Sequence, residues 1–149
     1  MQVPFVANQG QADPSVQFYA STFAGTVFVT GSGDIVYSLR GADQVDGPVL
    51  TERFRDARPA SVHGAEPAAT RVSYLKGPRS EWRSGLPTFA AISLGSRYDG
   101  IDVRLSAHGN SVEKLFHVDP GADASAIRLD VDGASRLSVD AEEIGRAHV

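Results

Sequence analysis

The chain has 149 residues, 42% of them apolar and 21% charged, with a formal net charge of −4. That length and balance describe one folded domain with a real core, and they exclude wholesale disorder. Lys76 and Lys114 are the only lysines and no basic run occurs, so phosphate neutralisation has no surface to use and nucleic acid is not an expected partner.

Cysteine is absent, which removes disulfides, thiolate metal sites and a cysteine nucleophile. No apolar run approaches ~18 residues, so no membrane-spanning helix is expected. No basic-then-apolar leader precedes Val3-Pro4-Phe5; the chain reads as a mature domain without its signal peptide.

In chain order, residues 3–11 pass from a short apolar run into an Asn8-Gln9-Gly10-Gln11 turn. Asp13-Pro14 turns again, and Val16–Ala20 reads as a strand. Gly25–Thr30 and Ile35–Leu39 are β-rich runs around Gly31-Ser32-Gly33-Asp34, which predicts a hairpin. Residues 41–70 are rich in Gly, Pro, Ala and charge without periodicity, and predict long mobile loops around one short strand at Val49–Phe54.

Beyond them the signal sharpens. Strands are expected at Arg71–Lys76, at Leu86–Leu94 with Pro87 at its start or edge, and at Ile101–Leu105. Val112–Val118 follows, with Val112, Phe116 and Val118 on one inner face. Ile127–Val131 and Leu137–Asp140 alternate again, and Ala122–Ala126 is expected to form a single turn capped by Asp123. About ten short strands at roughly ten-residue spacing predict an all-β fold, an antiparallel β-sandwich or open barrel with little or no helix. Residues 1–143 form one β domain in this reading.

The chemistry-bearing residues are sparse. His108 at a hairpin tip, His117 in the next strand and Asp102 are the residues a metal-assisted hydrolase would use, although no metal-ligand spacing links them. As surface or half-buried side chains they need no such role. Asp99 and Asp102 flank the Gly100 turn and could hold a divalent cation, calcium before zinc because the ligands are oxygens; the alternative is a carboxylate bonding its own turn, with no cofactor. Trp82, with Arg79, Arg83 and Tyr98, reads either as a core anchor or as an aromatic platform for a glycan. Gly31-Ser32-Gly33 lies between strands and is a turn, not a nucleophile elbow. Acidic pairs such as Asp102 with Glu113 carry no information from sequence spacing alone.

Several pieces, in this order, carry a resemblance: Phe5–Gln11, Val16–Ala20, Val72-Ser73-Tyr74-Leu75-Lys76-Gly77, Trp82-Arg83-Ser84 with Leu86–Phe89, Tyr98–Val103, Glu113–Val118, and Pro120–Asp123 with Ile127–Leu129. Together they resemble the N-terminal domain of unknown function that precedes β-propeller (SBBP-type) repeats in exported bacterial proteins. The departures are Gly77-Pro78-Arg79-Ser80 before the tryptophan and Ala107-His108 before the hairpin turn. The resemblance implies a secreted or cell-surface bacterial β domain, and it supplies no catalytic residues. The closing Ile144-Gly145-Arg146-Ala147-His148-Val149 resembles a translated sequencing adapter, so residues 144–149 read as a non-native tail of a metagenomic fragment, expected to be loose.

The expectation is therefore a non-catalytic accessory or interaction domain. Its partners would be missing downstream repeats or another surface protein, a glycan being the alternative. A domain cut from its neighbours is also expected to form a homodimer through an edge strand.

Overall fold

The computed structural model describes residues 1–41, 46–139 and 145–148. Its strands are β1 (Gln2–Val3), β2 (Phe5–Ala7), β3 (Val16–Thr22), β4 (Gly25–Thr30), β5 (Ile35–Arg40), β6 (Asp46–Phe54), β7 (His63–Pro67), β8 (Val72–Tyr74), β9 (Arg83–Leu86), β10 (Thr88–Tyr98), β11 (Ile101–His108), β12 (Ser111–Val118), β13 (Leu129–Asp132), β14 (Arg136–Val139) and β15 (Gly145–His148). Single 3-10 turns at Arg79–Glu81 and Ala124–Ala126 are the helical pieces among the described residues. Asp123 caps the second by accepting from the Ser125 amide, as the sequence predicts.

One antiparallel sheet curls into a half-barrel, in the order β1-β11-β10-β2-β3-β4-β5-β6-β13. β12 pairs with β11, and β7 pairs with β10. The fold is thus all-β, and it takes the open-barrel form. Alternation makes the curl: in β3 the buried residues Val16, Phe18, Ala20 and Thr22 alternate with more exposed ones, and β11 buries Ile101, Val103, Leu105 and Ala107 in the same way. Phe18, Ala20 and the four β11 residues join Phe5, Val29, Ile35, Phe54, Ile92, Leu94 and Tyr98 in the core on the concave side. Each such fully buried aliphatic or aromatic side chain stabilises the fold by roughly 1.5–3 kcal/mol.

Two prolines interrupt strands at corresponding places. Pro4 separates β1, on β11, from β2, on β10, and Pro87 separates β9 from β10. Neither proline can donate to a ladder, so the chain changes partner there. At the other end of β10, Gly100 takes φ 71 in the turn that returns the chain into β11.

The loop expectation for residues 41–70 is corrected in part. β6 is longer than predicted, and His63–Pro67 forms β7 along Phe89–Ser93. Its Gly-Ala-Glu-Pro sequence has no strand pattern; pairing with the long β10 imposes the conformation. Residues 42–45 lie outside the described set. Gly145–His148 pairs with β14 as β15, in a two-stranded sheet separate from the large one. Asp140 of the predicted last strand lies outside the described residues, as do 141–144 and 149.

Candidate functional site

The β11–β12 hairpin organises the chemistry. Its register sets Ile101 opposite Val118, Asp102 opposite His117, Arg104 opposite Leu115 and His108 opposite Ser111. Asp102, Arg104, Leu115 and His117 are exposed on the convex face. With Ser93 and Gly95 they line an open groove of about 600 Å³. Of these, Arg104 Nη1 lies 3.5 Å from Glu66 Oε1 of β7, and His117 Nε2 lies 3.5 Å from Asp119 Oδ1.

The same register fixes which backbone groups are free. His108 and Ser111 flank the Gly109-Asn110 turn as a hydrogen-bonded pair, so the odd residues of β12 point their amides at β11. The Asp119 amide, which donates to the Gly100 carbonyl at 2.8 Å, continues that pattern. The amides and carbonyls of Val112, Lys114, Phe116 and Val118 therefore point away from β11, and no backbone partner among the described residues takes them. β12 is an open edge, with Leu115 54% and Val118 37% exposed on it.

Opposite that edge the half-barrel is held by side chains rather than by a ladder. Lys114 shares the inner face with Val112 and Phe116, and its ammonium lies 3.0 Å from Glu52 Oε2 of β6. Phe116 meets Phe54 edge-on at 6.2 Å. Tyr98 Oη donates towards the carbonyls of Arg55 and Arg128, each at 2.9 Å. Tyr37 completes the inner polar group: burial, then the Glu52 charge and hydrogen bond, push its phenol pKa above the ordinary value. Arg97, 5% exposed, donates from Nε to the Arg58 carbonyl at 2.9 Å and lies over the Phe54 ring at 5.0 Å. Desolvation lowers its pKa. A Cβ on Gly33 (φ 85) would meet Arg97 Nη1 at 2.1 Å, so a side chain there would push the guanidinium end from its present place.

The sequence-derived candidates separate. Asp102 and His117 face one another across the ladder, but His108 sits six residues from Asp102, roughly 20 Å along the strand. His108 Nε2 has Ser106 Oγ at 3.4 Å instead. Asp99 is fully exposed, 3.8 Å from Arg58, while Asp102 points into the groove. Among the described residues no three His, Asp or Glu side chains converge as a metal site would need.

The Trp82 group divides in the same way. Trp82 is 40% exposed, donates from Nε1 to the Gly77 carbonyl at 3.2 Å and carries Arg79 at 5.3 Å from its ring centroid. Arg83 bonds the carbonyls of Gln9, Ser80 and Trp82, which pins this hairpin to the N-terminal loop. Tyr98 is a core residue at the opposite end of β10, about 30 Å from its start at the usual strand rise. Sequence reading missed Lys114 as an inward residue, although its parity with Val112 and Phe116 carries the signal. It also missed Glu52, Tyr37 and Arg97, whose roles depend on strands far apart in sequence.

Fold and hairpin together define an all-β half-barrel domain in which β12 is an open edge strand; β7 and β13 likewise pair on one side only among the described residues. The chain belongs to the family of the domain of unknown function DUF7948, whose model matches residues 5–145. No curated protein and no solved structure matches it.

Proposed function

We propose that this is an accessory interaction domain that docks a polypeptide strand along β12. The observation that carries the reading is the alternate row of outward amides and carbonyls at Val112, Lys114, Phe116 and Val118, beside exposed Leu115. Unpaired strand edges recruit strands, main-chain bonds giving affinity and alternate side chains giving selectivity. The resemblance adds a setting: a secreted or cell-surface bacterial protein with β-propeller repeats nearby. The competing enzyme reading is tested by metal analysis of the purified protein and a broad hydrolase screen. Activity abolished by Asp102→Ala and by His117→Ala, with the fold intact, would replace docking by catalysis.

Exposed Trp82 with stacked Arg79 favours a second reading, glycan binding. Tryptophan fluorescence titrated with a polysaccharide panel tests it; an unshifted spectrum with every glycan removes it.

A further inference from the structure

We infer that the strand docked on β12 is β12 of a second copy of this chain, in a two-fold antiparallel pair centred on Leu115. The inference rests on the docking reading above and adds the partner and the register. In an antiparallel pair the axis passes through one residue; one on Val112 or Val118, at the ends of β12, would pair little of the strand, and between Glu113 and His117 charge selects which. An axis on Glu113, Lys114 or His117 sets each of these against itself, and one on Phe116 sets Glu113 against Asp119. An axis on Leu115 sets Glu113 of each copy against His117 of the other, twice, with Val112 against Val118 on the concave face.

The hydrogen-bond phase agrees. Leu115 points its own backbone groups at β11, so Leu115 meets its copy as a non-hydrogen-bonded pair, the arrangement with the closest side chains. Lys114 and Phe116, whose groups point outward, become the hydrogen-bonded pairs flanking the axis. The pairing covers the exposed Leu115 and Val118. Lys114, an inward charge of the kind that normally guards an edge, does not repel the added strand because Glu52 of its own chain already neutralises it at 3.0 Å.

The chain has no cysteine, so a single introduced thiol can bond only to its copy. Leu115→Cys is expected to cross-link to a covalent dimer under mild oxidation. Glu113→Cys alone is expected to stay uncross-linked, while Glu113→Cys mixed with His117→Cys is expected to form the heterodimer. Light scattering of the unmodified chain is expected to give a dimer, weakened about tenfold by Glu113→Lys. Cross-linking at position 113 in preference to 115 overturns the register. A monomer at high concentration overturns self-pairing, and amide exchange then separates the two readings. Fast exchange at Val112, Lys114, Phe116 and Val118 in that monomer leaves the docking edge standing; slow exchange there overturns docking as well.

Discussion

Two aromatic–arginine groups sit at opposite ends of β10, and the same residue types do different work in each. At one end Tyr98 and Arg97 are buried, and their polar atoms reach the carbonyls of Arg55, Arg128 and Arg58. They tie the end of β10 to one end of the β6–β13 pair, where Arg55 leaves β6 and Arg128 enters β13 and no ladder among the described residues joins that pair to β12. At the other end Trp82, Arg79 and Arg83 are joined by local carbonyl bonds, one stacking contact and one exposed bond from Arg83 to the distant Gln9 carbonyl, on a hairpin outside the large sheet. Burial decides the difference. A hydrogen bond that replaces water in the core holds distant strands, because losing it leaves an orphaned carbonyl, whereas an exposed one exchanges with solvent at little net gain.

This contrast can be broken by substitution. The largest effect is expected at the closure across β6 and β12: Lys114→Ala leaves Glu52 enclosed without its cation and is expected to cost about 3 kcal/mol by urea unfolding. Tyr98→Phe removes a hydroxyl that serves two carbonyls and is expected to cost about 2 kcal/mol. Trp82→Ala, at the exposed end, is expected to cost about 1 kcal/mol. Equal losses at Tyr98 and Trp82 would dissolve the comparison.

The smallest effect is electrostatic. Asp13 and Asp123 have pKa values lowered by Ser15 and Ser125 respectively; the backbone bond leads at Asp13 and the hydroxyl bond at Asp123. A depressed carboxylate contributes stability above its unfolded pKa and loses it as pH falls through the folded one. These two turns are therefore expected to hold down to about the ordinary carboxylate value near 3.9 and to loosen below it, with NMR midpoints for both carboxyls under that value.

Strands were legible where β-branched or alternating runs meet turn residues, as in Gly25–Thr30 and in Ile101–Leu105, the first part of β11; the Asp123 cap was legible too. β7 was not, because His63–Pro67 takes its form from β10 rather than from its own residues. For the site, the opposition of Asp102 and His117 follows from hairpin register, but the inner partners of Lys114 do not. Glu52 is sixty-two positions away in sequence, and only the curl of the sheet brings it inward. Tyr98, which the sequence leaves between core anchor and platform, is buried, and its hydroxyl bonds backbone where β6 ends and β13 begins.

The claim beneath all of this is that side chains, not a backbone ladder, close the half-barrel between β6 and β12 and so leave the β12 edge free. A double-mutant cycle of Glu52→Gln and Lys114→Met, read by equilibrium unfolding, tests it most directly. The account predicts a favourable coupling of about 2 kcal/mol. Additive single effects, with no coupling, would contradict it.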